Sequence, residues 1–560
     1  MKRKILAIML GFVLMLGTFT GCTVKDENPN EQYADRGIKL TMYYYNAGYG
    51  GEHYEAMAAD YMENFDSEVY IDMVPKTDSP TMRTQITTND SDADIVQLSV
   101  DMFGQTASIE NLSDLYEMYP LGEEGKTKIK DKNPEMYEYY KEAYGENKSQ
   151  TGYFRLASGG NGGGYTFAYN KTTLDTLFGV DNYVLPVTSQ ELFAFGEKMK
   201  GEGQYLMSTA LGDTGGDYTV YLQQLWLAQL MGKEKYDHYY SAEYYNEETS
   251  NWEFSWEEPK MMVNAQKEIK DTYTQLHELF IGENEYLHPE VKSLNHLFNN
   301  QVFSGAGYGN YEEKTAFLYI GSWLENEMKN VKGANQDQTY GAIRTPVNSK
   351  IVNYLSVQID DATLAAIIRA IDAGSDYATV KANVAGASEI TEADFAKIYE
   401  ARKMIVTIRC SEIVVPKLSS QEAWKKEHIY KFLRYLTSDR ANVVAANTKG
   451  GLNMTAYGAP VKDSDLTVTR TLFIQNMVDI AKDAVVIDTA QVNKISKKVL
   501  PLSTVYVPGS ENLAKYLFDR KDAEAQTAEE MYDELYESST EKGLWTTKIK
   551  QYKVEMGIVD

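Results

Sequence analysis

Ser158-Gly159-Gly160-Asn161-Gly162-Gly163-Gly164-Tyr165-Thr166-Phe167-Ala168-Tyr169-Asn170-Lys171 holds five glycines within six residues and then becomes an aromatic run. Glycine at that density lets a backbone bend sharply or approach another group closely. A phosphate loop would need Gly-Lys-Ser or Gly-Lys-Thr opening a helix, so that amides and lysine surround the phosphate. Here Tyr165 follows the last glycine, and Tyr165 to Tyr169 reads as a strand. The dinucleotide fingerprint fails on the same ground, because it too requires a helix behind its glycines. The stretch is read as a flexible passage into a strand. Two readings stay open: its Asn161 faces a ligand, or it is a plain turn.

Working outward, the same strand-and-helix grammar recurs. Lys39 to Tyr45 reads as an aromatic strand, and Asn46-Ala47-Gly48-Tyr49-Gly50-Gly51 as a turn. Tyr54, Met57, Ala58, Tyr61, Met62 and Phe65 then follow the three-four spacing of one buried helical face. Val69 to Val74 and Asp94 to Val100 read as strands, with a helical segment from Thr81 to Thr87 between them. Strands alternating with helices predict an α/β fold with a largely parallel sheet. Ligands of such sheets bind in loops beyond the carboxyl ends of the strands. Later come strands at Tyr153 to Leu156, Thr315 to Ile320, Tyr340 to Arg344 and Met404 to Arg409, and a helix at Tyr218 to Met231 that is apolar nearly all round. Ser419 and Glu422 form a capping box before a helix lined by Ile429, Phe432, Leu433 and Leu436.

The chain has 560 residues, more than one core supports, since cores stop growing near ~250–300 residues; two domains or lobes are expected. The formal net charge of −26 argues against a nucleic-acid partner, which wants a basic surface. Lys2, Arg3 and Lys4 precede the apolar run Ile5 to Leu16, too short for a bilayer span but suited to a signal peptide. It ends at Phe19-Thr20-Gly21-Cys22, similar to a bacterial lipobox in which Cys22 receives the lipid; an ordinary secretory signal is the alternative. Thr23 to Gly37 reads as a disordered tether. Cys410 is the only other cysteine, so no disulfide framework exists in the mature chain, and Cys410 reads as a core thiol.

Motifs for catalysis and metals fail one by one. Asp90, Asp92 and Asp94 have the alternate spacing of a calcium loop, but Ile95 stands where that loop needs glycine. His277-Glu278 begins like a zinc-protease motif, and Ile281 occupies the second histidine position. No Gly-x-Ser-x-Gly elbow occurs. A glycosidase needs only two facing carboxylates, and nothing singles out such a pair in so acidic a chain. No cofactor or metal is expected. What remains is aromatic side chains and amides near strand ends, which suit a sugar: its C–H faces stack on rings and its hydroxyls need fixed partners.

The order of motifs resembles the bacterial extracellular solute-binding proteins of carbohydrate ABC importers, the group containing maltose-binding protein, from about Lys39 to Pro460. Leu40 to Phe65 is similar to the family's first strand and helix, and Asp94-Ile95-Val96 to its Pro-Asp-Val-Val strand, with Ala93 for proline. Ser99-Val100-Asp101-Met102-Phe103-Gly104 resembles the segment whose aspartate binds sugar hydroxyls, followed by Leu112-Ser113-Asp114-Leu115. Tyr169-Asn170-Lys171 and Phe317 to Trp323, ending Gly321-Ser322-Trp323, match the family's Tyr-Asn-Lys and Gly-x-Trp. The resemblance implies a two-lobed α/β fold of the periplasmic-binding-protein type II, with the ligand cleft between lobes. Residues 1–21 would be the signal peptide and 22–37 the tether. Lobe one would hold 38–152 and 408–469; lobe two would hold 153–407 and 470–560, with a helical insertion at 347–402. The implied ligand contacts are Tyr45, Asn46, Tyr49, Ser99 and Asp101 from lobe one and Tyr218, Trp226 and Trp323 from lobe two, with Asn161 and Arg344. Trp226 is equally explained by a buried helix. The implied function is binding, not catalysis: a monomer, anchored through palmitate and related acyl chains on Cys22, delivering an oligosaccharide to importer membrane subunits. A sugar-sensing partner of a membrane kinase and a secreted carbohydrate-active enzyme are the alternatives.

Overall fold

The computed structural model describes residues 30–555 except 147–148, 160–163, 212–217, 293–294, 308–309, 332, 408–410, 419–421, 489–512, 520–526 and 541–543. The signal segment, Cys22, Cys410 and the Ser419 half of the capping box lie outside the described residues. The strand Ile38–Tyr45 pairs in parallel with Val69–Lys76 on one side and Ile95–Leu98 on the other. Glu412–Val414 then runs antiparallel to Ile95–Leu98, and Leu156–Ala157 closes the far edge. Successive side chains of a strand face opposite ways, and the first strand obeys this rule. Leu40, Met42 and Tyr44 enter a core shared with the helices Glu52–Asn64, Lys425–Leu436 and Asp439–Thr448, whereas Tyr43 joins Met82, Ile86 and Met102 on the other face.

The second sheet is ordered Val485–Asp488, Met404–Thr407, Tyr165–Asn170, Thr315–Gly321 and Tyr205–Ser208, and Tyr340–Ile343 also pairs with Tyr165–Asn170. Tyr165–Asn170 runs antiparallel to every neighbour and is buried along its whole length. The glycine stretch therefore delivers the chain into the reversed central strand of the second lobe. Asn170 ends that strand by capping the next helix: its Oδ1 accepts from Thr173 N at 3.0 Å while its Nδ2 donates to Phe303 O at 2.9 Å. Thr219–Met231, apolar nearly all round, lies inside this lobe's core, with its buried Gln229 donating to Ala401 O and accepting from Asn348 N. The helices Asp361–Asp372, Tyr377–Asn383 and Glu392–Lys403 build a satellite core on its flank, where Leu364, Ile367, Ile368, Val380 and Ile398 meet Leu230 and Val187. Among the described residues no helix is long and apolar enough to cross a membrane.

Four sequence expectations change. The sheets are mixed and not largely parallel, because Glu412–Val414 and Tyr165–Asn170 run antiparallel to every neighbour. Tyr153 to Leu156 is not one strand, since Gln150–Tyr153 and Leu156–Ala157 belong to different sheets. The tether is docked from Asn30 onward: Arg36 Nη1 donates to the carbonyls of Met62 (2.8 Å), Asp66 (2.9 Å) and Val69 (3.0 Å), which gather at the end of the helix Glu52–Asn64. Orphan carbonyls at a helix carboxyl end attract a cation, and low apolar content says nothing of that. The helix expected after Ser419 starts only at Lys425, with Trp424 at its N-cap and no side-chain cap.

The crossings between lobes explain the last glycine of the stretch. The backbone of the first crossing pairs with that of the second through Ser158 N to Ser411 O at 3.1 Å. Gly164 has φ of +67°, and a Cβ there would sit 2.5 Å from the Val406 carbonyl oxygen. Gly164→Ala should lower stability by about 1–3 kcal/mol, the usual range for a strained left-handed residue. Gly159→Ala, where a Cβ would make an ordinary 3.6 Å contact with Ser411, should stay within ~0.5 kcal/mol. Urea unfolding of both variants checks this, and equal losses would refute the close-approach reading.

Candidate functional site

A cavity of about 780 Å³ lies where the two lobes face each other across the crossings. Its first-lobe wall comes from loops beyond strand ends: Tyr45, Gly48 and Tyr49 after the first strand, then Gln97 and Ser99. Ser158, Gly159, Gly164, Thr407 and Ser411 of the crossings contribute its floor. The second lobe supplies Tyr165, Tyr218, Trp323 and Glu327, and the loop around Asn453, Thr455 and Gly458 closes another side. Gln97 stitches the floor together, accepting from Tyr45 N at 2.8 Å and donating to Ser411 Oγ at 2.6 Å.

Trp323 organises the aromatic part. Its indole meets Tyr49, Tyr165 and Tyr218 edge-on, with ring centroids 5.7, 5.2 and 5.7 Å away. This edge-to-face packing holds the ring without a strong polar bond. Gly321 makes room for it, since a Cβ there would lie 2.2 Å from indole carbons. The Gly-x-Trp pattern thus has a steric cause. The lobes also touch across the rim. Asn326 Nδ2 donates to Gly48 O at 2.6 Å, and the Tyr49 and Ser322 hydroxyls are hydrogen-bonded. Lys449 pairs with Glu52 and reaches Asn326 Oδ1 at 3.4 Å.

Of the residues expected at the site, Tyr45, Tyr49, Ser99, Tyr218 and Trp323 line the cavity. Asn161 lies outside the described residues. The remaining four are placed elsewhere. Trp226 is fully buried in the core, its Nε1 donating to Pro346 O at 3.0 Å, so its ring and its donor are both used inside the lobe. Asn46 is exposed beside the rim, its backbone N–H bonded to Lys76 O. Arg344 is drawn to Asp483, which also binds Lys403. Asp101 points away from the cleft and accepts from Arg155 Nη1 at 3.0 Å and Phe103 N at 2.8 Å. Gln97, Tyr165, Ser411 and the Asn453 loop were missed, and no pattern in the sequence marks them. Glu327 was legible in principle, since it stands one helical turn beyond Trp323.

Arg155 is 1% exposed, with Glu412 Oε1 at 3.0 Å and Glu142 Oε2 at 3.6 Å. Its guanidinium also lies 4.9 Å from the centre of the Tyr140 ring, which lines the cavity. Burial pushes the Glu412 carboxyl up to about 7; Arg155 opposes that shift and Asp101 adds to it. Burial would lower the Arg155 guanidinium, but Glu412, Asp101 and Glu142 outweigh it and raise its affinity for its proton. In the cleft, burial and then Lys449 push His53 down to about 3, so its imidazole is neutral at physiological pH. Burial also raises Glu327, against the Asn300 hydrogen bond and His296. Among the described residues no group of three or more His, Cys, Asp or Glu is placed to hold a metal ion.

No family model and no curated protein matches the sequence. Among solved structures the chain is similar to a chitin oligosaccharide binding protein, at 11% identity, with 90% of this chain and 98% of that chain covered and a TM-score of 0.49. It is also similar to the ABC substrate-binding protein Lmo0181 from Listeria monocytogenes in complex with cycloalternan, at 11% identity, 93% and 100% coverage and a TM-score of 0.47. A third is maltose-bound T. maritima MalE3, at 13% identity, 93% and 99% coverage and a TM-score of 0.45.

Removing the cation at the crossings should be costly. Arg155→Met leaves Glu412 and Glu142 buried without their partner, and urea unfolding should show a loss of about 3–5 kcal/mol. Adding Glu412→Gln should recover part of it; no recovery would mean that the loss came from packing. The folded state holds the Glu412 proton more tightly than the unfolded state does, so this group's contribution falls as pH rises from 4.5 through about 7. Glu412→Gln should flatten the stability profile in that window.

Proposed function

We propose that this chain is the ligand-capturing component of a carbohydrate importer: it binds an oligosaccharide between its lobes and presents it to membrane subunits. The observation that carries this reading is the chemistry of the interlobe cavity. Trp323, Tyr218, Tyr45 and Tyr49 offer ring faces and edges next to the amides and hydroxyls of Gln97, Ser99, Ser411 and Asn453. A sugar ring needs both at once, a flat apolar face and fixed partners for its hydroxyls. The cavity lies at the carboxyl ends of strands, where open α/β sheets hold ligands.

Binding is favoured over hydrolysis by the acid groups present. A glycosidase places two carboxyl groups ~5–9.5 Å apart across the scissile bond. Among the described residues lining the cavity, Glu327 is the one carboxylic acid. Contacts made by both lobes give a ligand its leverage: it favours the closed form only by its differential affinity for that form. The rim contacts of Asn326 and Tyr49 join the two lobes beside the cavity, where such a ligand would act. Lipidation at Cys22 would keep the domain at the outer face of the membrane, where two acyl chains suffice for stable anchoring.

Calorimetry against purified mono- and oligosaccharides, with product analysis, tests the reading. Saturable binding without turnover is the expected result, and glycan cleavage would overturn it. Trp323→Ala should weaken that binding by about 2–4 kcal/mol, as for other truncated aromatic anchors; an unchanged affinity would remove Trp323 from the site. In a fractionated host, Cys22→Ala should move the protein from membrane to supernatant, and continued retention would refute the anchor.

A further inference from the structure

We propose that Glu327 reads the charge of the ligand, admitting uncharged glycans to the Trp323 wall and excluding those that carry carboxylates there. This rests on the reading of the cleft as a glycan site and adds a selection rule to it.

Glu327 lies in the helix Leu324–Asn330, four residues after Trp323, so both project from one face. Its backbone N–H bonds to Trp323 O at 3.0 Å, which ties the carboxyl to the aromatic wall. Asn300, itself buried, donates from Nδ2 to Glu327 Oε2 at 3.0 Å. That bond holds Oε2 and orients the carboxyl, with His296 of the helix His296–Phe303 also close enough to act on it. The carboxyl is close enough to Tyr218 to add to the effect of burial in pushing that hydroxyl up. A sugar ring laid on Trp323 would therefore present its hydroxyls to an oriented, partly desolvated carboxylate. Hydrogen bonds to a charged acceptor are the strong ones.

Three cations near the cleft are committed elsewhere. Arg344 is held by Asp483, Lys449 by Glu52, and Arg155 by Glu412 and Asp101. Among the described residues lining the cavity there is no lysine or arginine. His296 also lines the cavity and lies close enough to Glu327 to favour its charged form, so a ligand carboxylate near Trp323 would meet Glu327 with no lysine or arginine to compensate, in a medium that screens poorly. A hydroxyl at the same place gains a hydrogen bond. The difference in chemistry is a primary alcohol against a carboxylate at one ring substituent.

The test uses the intact protein and its Glu327→Gln variant, which keeps an acceptor for Asn300 and nearly the same shape. Calorimetry at pH 7 compares maltotriose, galactotriose and chitotriose, each against its C6-oxidised uronate counterpart. The wild type should bind at least one neutral sugar and bind its uronate counterpart at least tenfold more weakly. Glu327→Gln, with an unchanged melting temperature, should bind the neutral sugar several-fold more weakly and narrow the neutral-to-uronate gap at least threefold. Uronates bound as well as or better than neutral sugars would overturn the charge rule while leaving carbohydrate binding intact. So would a gap that Glu327→Gln does not change. Failure of every probe to bind the wild type would overturn the carbohydrate reading itself, and this inference with it.

Discussion

The guanidinium of Arg155 sits where the chain leaves the first sheet, and the geometry of the crossings hangs on it. It joins the first crossing to Glu412 on the returning crossing, to Glu142 on a neighbouring strand and to Asp101 in the loop beyond the third strand. A charge so deeply buried is tolerable only when it is paired. On the same two crossings Ser158 N donates to Ser411 O, and Gly164 lies against the Val406 carbonyl. Tyr165 then enters the second sheet with its ring already against Trp323. The cleft inherits its floor and part of its aromatic wall from one ion cluster.

The same economy of charge shapes the cavity. A strongly acidic chain has more carboxylates than cations, and Arg344 and Lys449 find carboxyl partners away from the ligand space. The lining that results is aromatic, amide and hydroxyl, with Glu327 as its acid. Neutral His53 continues that character into the first lobe. The rim contacts of Asn326, Tyr49 and Lys449 come from loops that also line or border the cavity, so lobe position and ligand contact are set by the same few residues.

Much of the fold was legible in the residues themselves. The spacing of Tyr54, Met57, Ala58, Tyr61 and Met62 predicted one buried helical face, and those residues are buried. The aromatic run at Lys39 to Tyr45 predicted a strand, and the structure adds that its two sides enter different cores. Expected contacts at strand ends, such as Tyr45, Tyr49 and Trp323, reach the cavity because a strand's end is a local property of the chain. Asp101 and Arg344 do not, because each is claimed by a partner far away in sequence. A charged side chain goes to the nearest opposite charge in space, and a single sequence does not state that distance.

The glycine stretch divides the two kinds of information cleanly. By itself the sequence excluded a phosphate loop there, since no Lys-Ser or Lys-Thr and no helix follow the glycines. It also marked Tyr165 to Tyr169 as a strand, because short-range alternation and aromatic content carry that signal. Tertiary structure alone decided that this strand runs against all its neighbours, and that Gly164 is required by the Val406 carbonyl of another crossing. Local preference follows from neighbouring residues, whereas close approach and charge pairing depend on which distant segments the folded chain brings together.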